Sequence, residues 1–288
     1  MLYSIKSLCL ALLVFTVISK TGAAQNTEAS LSVTLEQSNL AYFFTDEGLV
    51  VIELAEFMAP KHVERFKALI NDGYYDGLDF YRVIDGFVAQ GGDLSEQKPT
   101  EFGATLSAEF SRPIAETSSF ISVQKPEFLA QETGFINGFP AGRDYTANIE
   151  WLLHCPGAVA MARSEGKDSA TNHFYAVIGH APRHLDRNMS VFGQVVYGMS
   201  SLQSMKRGKP DQGGVIDTPE NRSKIVRAVM GDKVKADQQL TFVRNSDSSE
   251  KFQNRLKNAR ELSNPFYHFK GSGNIDVCYY RPRTTVAG

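Results

Sequence analysis

The stretch FYRVIDGFVAQGGD, residues 80–93, is an apolar and aromatic run with one arginine, Arg82, near its start. Side chains alternate along extended chain, so a strand here puts Phe80, Arg82 and Ile84 on one face and Tyr81 and Val83 on the other. A permanently charged guanidinium among aromatic side chains needs either an ion-pair partner or a chemical role.

Working outward, GLVVIELA (48–55) is rich in β-branched residues and reads as a buried strand. Pro60 then opens a helix in which Val63, Phe66, Leu69 and Ile70 fall on one stripe, and Gly73 stands where a C-terminal cap belongs. Downstream, GAVAMAR, HFYAVIG and SVFGQVV read as three further strands, and SKIVRAVMG and QLTFVR as closing strands. Many short strands with few helices argue for a mainly β chain closed into a barrel. Between them, residues 94–150 form a long insert in which EFSRPIAETSSFISVQ is strand-like and GFINGFPAGRD reads as a Gly/Pro loop. Phe135, Ile136 and Phe139 are too apolar to stay in water and are expected to pack this insert onto the barrel near the quoted stretch.

The two ends read differently. Lys6, the apolar run Leu8 to Ile18 and the small residues Gly22, Ala23 and Ala24 have the form of a secretory signal peptide spanning residues 1–24. That run falls short of the roughly 20 apolar residues a membrane span needs, so an exported, periplasmic protein is expected. Residues 25–44 are polar and patternless, an N-terminal tail. Without Lys6 and Lys20 the chain carries 28 basic and 32 acidic residues, interspersed and net −4, which leaves no footprint for nucleic acid. Two cysteines then remain, Cys155 and Cys278. In an oxidising compartment they suggest one disulfide, the alternative being two separate buried thiols. In the C-terminal extension, residues 246–288, Asp247 followed by Glu250 could cap a helix carrying Phe252, Leu256, Ala259 and Leu262 on one face and ended by Pro265. A bridge from Cys278 to Cys155 would pin this extension to the barrel.

The quoted stretch, together with GAVAMAR, ATNHFYAVIG and LDRNMSVFGQV in that order, resembles the core of the cyclophilins over roughly residues 45–245. These are prolyl cis/trans isomerases built on an eight-stranded antiparallel barrel capped by two helices. The insert, HCPG and DVCYYRP are similar to a subgroup of large bacterial cyclophilins and to the cyclophilin domain of certain plant thylakoid-lumen proteins. The resemblance implies a cofactor-free isomerase acting on proline-containing segments of unfolded or exported proteins. It implies catalytic roles for Arg82, Phe87 and Gln90, a proline pocket of Phe87, Val88, Tyr175, Leu185 and Met189, and peptide-backbone contacts from Gln90, Arg163 and His173. His184 stands where the family carries the tryptophan of tight cyclosporin binding, so weak cyclosporin binding is expected.

Other chemistries find little support. His173, His180 and His184 invite a zinc reading, but Pro182 breaks any helix that would bring His180 and His184 to one face. There is no Gly-x-Ser-x-Gly turn and no Cys-x-x-Cys pair. Val88, Tyr175 and Met189 depart from the family's methionine, phenylalanine and histidine, which leaves a second reading open, a catalytically weak module that binds proline peptides.

Overall fold

The computed structural model describes residues 32–287, so the expected signal peptide lies outside the described residues. Strands and helices are labelled in chain order. Eight antiparallel strands close into a barrel: β2 (Leu40–Thr45), β3 (Gly48–Leu54), β4 (Asp79–Ile84), β5 (Val88–Gly92), β11 (Ala158–Met161), β12 (Phe174–Val177), β13 (Val191–Tyr197) and β14 (Ser223–Met230). Their order around the wall is β11-β12-β5-β4-β14-β2-β3-β13. Helix α1 (Pro60–Asn71) carries Val63, Phe66, Leu69 and Ile70 into the barrel core, where the Phe66 ring lies 4.8 Å from Phe192 and 5.3 Å from Phe174. Gly73 follows its C-cap at φ +68°, a conformation that favours glycine. The short helix α2 (Met199–Ser204) adds Leu202 to the same core.

Two boundaries differ from the sequence reading. Leu40–Thr45 is not tail but barrel strand β2, paired along its length with β3 in a hairpin. QLTFVR does not close the barrel: β15 (Phe242–Asn245) lies between β1 (Ser32–Thr34) and β16 (Thr284–Val286) in a separate three-stranded sheet. Its apolar residue Phe242 is buried against Leu35, Tyr42 and Val51 outside the main core, so burial alone did not distinguish the two placements.

The insert is a sheet rather than an irregular connection. Strands β6 (Arg112–Pro113), β7 (Phe120–Gln124), β8 (Glu132–Ile136), β9 (Phe139–Asp144) and β10 (Ile149–Leu152) pair antiparallel in the order β6-β10-β9-β8-β7. GFINGFPAGRD, read as a loop, is the β8–β9 hairpin, with Ile136 paired to Phe139 across Asn137 and Gly138 at φ +52° and +78°. An Asn-Gly pair with both φ positive is the tight hairpin turn.

This sheet is a middle layer. One face puts Ile136, Phe139, Ala141 and Leu152 against Val88, Tyr175, Val177 and Val191 of the barrel wall. The other puts Val123, Phe135, Trp151 and Leu153 against Phe252 and Leu256 of helix α3 (Glu250–Glu261) and against Ile275 and Val277 of the tail. Phe135 therefore faces the C-terminal helix and not the barrel. The N-cap of α3 is Ser249, whose Oγ accepts the Phe252 N–H at 3.3 Å, while Asp247 accepts the Gly138 N–H at 3.1 Å. Cys155 and Cys278 are disulfide-bonded, with Cα atoms 5.1 Å apart, at the edge of the core that α3 shares with the insert sheet.

Candidate active site

Strand β4 does not alternate as a regular strand does. Asp79 is opposite Gly92 and Arg82 opposite Gln90, so three steps on β4 match two on β5, a β-bulge. The extra residue breaks the expected alternation. Phe80 and Val83 both point into the barrel core, and Tyr81 and Arg82 join one hydrogen-bonded network. From Arg82 the register runs across the wall, Arg82 to Gln90 on β5 and Gln90 to Tyr175 on β12. The intervening pair Ala89 and Ala176 faces inward. Arg82, Gln90 and Tyr175 thus form one row on the outer face.

Arg82 is held on two sides. Its Nε donates to the Gly213 carbonyl at 2.9 Å, and its Nη1 donates to Gln90 Oε1 at 3.1 Å. Gly213 belongs to a loop laced to β4 by the Val83 N–H donating to Gly214 O at 2.9 Å and the Ile216 N–H donating to Tyr81 O at 2.8 Å. Arg82 Nη2 has no hydrogen-bond partner among the described residues. The network continues with Gln90 Nε2 donating to the Tyr81 hydroxyl at 2.5 Å and the Tyr81 O–H at 3.0 Å from His173 Nδ1. Burial pushes the Tyr81 phenol up to about 12 and pushes His173 down, against the opposing charges of Glu96 and Asp93. Both are therefore neutral at pH 7, with Tyr81 donating and His173 Nδ1 accepting, and every donor in the chain points the same way. Gly92 has to be glycine: it sits at φ +136°, and a Cβ there would lie 2.8 Å from His173 Nδ1.

The residues expected to form the proline pocket share one apolar cluster that includes Tyr175 of this row. Val88 and Tyr175 are buried, and Phe87, Leu185 and Met189 are partly buried against that cluster. His184 is exposed in the turn Arg183–Leu185. Arg163 is half-exposed, with its guanidinium on the carbonyls of Asn188, Ser164 and Glu165 and 5.5 Å over the Phe110 ring. Among the described residues no group of three or more His, Cys, Asp or Glu could hold a metal ion.

A barrel wall carrying a pinned arginine, an adjoining glutamine and an apolar cluster has a counterpart among known proteins. The family model for cyclophilin type peptidyl-prolyl cis-trans isomerase/CLD matches residues 40–230. The chain belongs to the cyclophilin-type peptidyl-prolyl isomerases. It is 29% identical to a probable peptidyl-prolyl cis-trans isomerase of Brucella suis over 209 residues, 73% of this chain and 88% of that one. It is 31% identical over 169 residues to peptidyl-prolyl cis-trans isomerase B of Bacillus subtilis, 58% and 90% of the two chains. The crystal structure of cyclophilin AquaCyp293 from Hirschia baltica superposes with a TM-score of 0.72 at 26% identity, covering 88% of this chain and 93% of that one. That coverage of this cyclophilin takes in more than the residues 40–230 of the family match.

The sequence reading missed Tyr81 and the Gly213 carbonyl. Tyr81 stands inside the quoted stretch, but strict alternation assigned it to the opposite face from Arg82, and only the bulge reunites them.

Proposed function

We propose that this cyclophilin isomerises X-Pro bonds of exported proteins in the periplasm, with Arg82 as the group that acts on the twisting bond. The observation that carries the reading is the clamped guanidinium: two of its three nitrogens, Nε and Nη1, are fixed on Gly213 O and Gln90 Oε1, and Nη2 is left for a substrate.

The barrier to rotation, about 18–20 kcal/mol, arises because the proline nitrogen shares its lone pair with the carbonyl. A guanidinium N–H set against that nitrogen donates to the lone pair only once the bond twists, so the interaction belongs to the transition state. One charged hydrogen bond contributes about 1.5–3 kcal/mol net, whereas a millionfold acceleration needs about 8 kcal/mol. The remainder falls to the pocket of Phe87, Val88, Tyr175, Leu185 and Met189. It holds the proline ring still, away from water, while the preceding carbonyl swings; a twisted amide is less polar than a planar one and loses less on desolvation. Gln90, Arg163 and His173 take the peptide backbone beside it.

Export is supported by the leader-like residues 1–24 and by the Cys155–Cys278 bond, since disulfides persist in oxidising compartments. The test is exchange NMR on an X-Pro peptide. The purified chain is expected to catalyse exchange, and Arg82→Ala to lower kcat/KM by about tenfold or more with an unchanged fold. Equal rates in both proteins would remove Arg82 from the chemistry. At the rim, His184 offers less apolar area than an indole, so cyclosporin is expected to bind weakly and His184→Trp to tighten it. Nanomolar inhibition of the native chain would contradict this.

A further inference from the structure

The motif HCPG has one residue that neither the barrel nor the disulfide uses. His154 is only 1% exposed, and its Nε2 lies 2.9 Å from the hydroxyl of Tyr175 at the floor of the proline pocket. Its Nδ1 lies 3.0 Å from Asp186 Oδ1, which also accepts the His154 backbone N–H at 2.8 Å. The other Asp186 oxygen takes Arg183 Nε at 2.5 Å, and Arg183 Nη1 lies 3.5 Å from Glu127 Oε1 in the insert. Proton positions along this line follow from the charges. Burial alone would raise the Asp186 carboxyl, but the hydrogen bonds from His154 and the charge of Arg183 outweigh it and hold it below the usual range. An ionised carboxylate places the proton on His154 Nδ1 and leaves the Nε2 lone pair for the phenol. Burial pushes the Tyr175 phenol up, so it keeps its proton and donates.

We propose that His154 is a positioning residue for the isomerase, clamping the ring of Tyr175 at the pocket floor from a support anchored outside the barrel in Asp186, Arg183 and the insert's Glu127. A phenylalanine floor is located by packing alone. A buried phenol also needs a partner for its hydroxyl, and that partner then fixes where the ring sits. The position matters because Tyr175 is the register neighbour of Gln90, which holds Arg82. A proline ring seated on Tyr175 is thereby set at a fixed offset from the guanidinium. The segment carrying His154 is itself immobilised: the next residue is the disulfide cysteine Cys155, and the carbonyl of Pro156 accepts Arg281 Nη1 at 2.7 Å.

The inference rests on the isomerase reading of the groove, and its signature is a split between kinetic constants. Apolar contact with the proline ring is made equally in the ground and transition states, whereas alignment with Arg82 counts only while the bond twists. His154→Leu should therefore lower kcat about fivefold, the worth of one buried hydrogen bond, with KM little changed. In the Tyr175→Phe background the same change should have almost no effect on kcat. Equal losses in both backgrounds, or none in the parent, would overturn the clamp. A second measurement needs no destabilised variant. Imidazole 15N NMR of the native chain should show His154 protonated at Nδ1, with an Nε2 signal that moves in Tyr175→Phe; an Nε2–H tautomer, or an unmoved signal, would overturn it. If the native chain proved inactive, the isomerase reading would fail while the 15N spectrum still decided the clamp.

Discussion

Two rows of three residues cross antiparallel strands in this molecule, and they are built to opposite ends. On the barrel wall the row is Arg82, Gln90 and Tyr175; in the insert sheet it is Arg112, Glu150 and Arg143. Glu150 is fully buried, and its oxygens accept from Nε and Nη2 of Arg112, Nε and Nη2 of Arg143, and the Ser118 hydroxyl, at 2.7–3.3 Å. Both arginines also lie over aromatic rings, Arg112 5.2 Å from Phe57 and Arg143 4.1 Å from Phe120. In the wall row, by contrast, the arginine meets a neutral amide and a carbonyl and keeps Nη2 without a partner among the described residues. A closed row with every acceptor filled stiffens a sheet, and an open row with a spare charged donor can meet a substrate.

The largest expected effect concerns the support layer as a whole. The Cys155–Cys278 bond spans 123 residues, and the chain-entropy model for closing such a loop gives about 4–5 kcal/mol. Urea unfolding of the Cys155→Ser, Cys278→Ser double variant should show a loss of that order with kcat/KM retained in the folded protein. A collapse of activity at full occupancy of the fold would merge the two regions that the comparison separates.

Next is the closed row itself. Glu150→Ala leaves two arginines without their carboxylate and should lower stability by about 3–5 kcal/mol, read by chemical denaturation. A loss under about 1 kcal/mol would mean that the row is merely a surface cluster.

The smallest effect lies in the open row and depends on pH. Burial depresses His173 in the folded chain, so its contribution to stability is complete above the ordinary histidine value of about 6.5. It is lost as the pH falls from there through the folded value, because the unfolded chain takes up the proton first. The same protonation removes the acceptor of the Tyr81 hydroxyl, so kcat/KM should fall over that acid range and His173→Gln should flatten the profile. A rate that stays flat while NMR shows His173 taking up its proton in the native chain would take His173 out of the network.

How much of this was legible in the sequence follows the same division. Although Leu40–Thr45, which follows a polar stretch, was read as tail, much of the wall was readable because its strands carry dense, specific side chains in a fixed order. The faces of β4 were not, because a bulge is a single extra residue with no sequence mark of its own. The insert read as irregular because its strands are covered on both faces, so Thr133–Ile136 and Phe139–Ala141 show no polar alternation. Its one clear local signal, Asn137-Gly138 between Ile136 and Phe139, was outweighed by the glycines and proline around it. Docking of α3 on the insert rather than on the barrel could not be read at all, since an apolar stripe does not name the surface it covers.

The central claim is that catalysis resides in the open row and the closed row only supports it. Exchange NMR on one X-Pro peptide, with the native chain, Arg82→Ala and Glu150→Gln compared at a temperature where circular dichroism shows all three folded, tests this most directly. The account predicts a kcat/KM about tenfold or more below native for Arg82→Ala and within about threefold of native for Glu150→Gln. Native-like exchange by Arg82→Ala, or an equal loss in both variants, would contradict it.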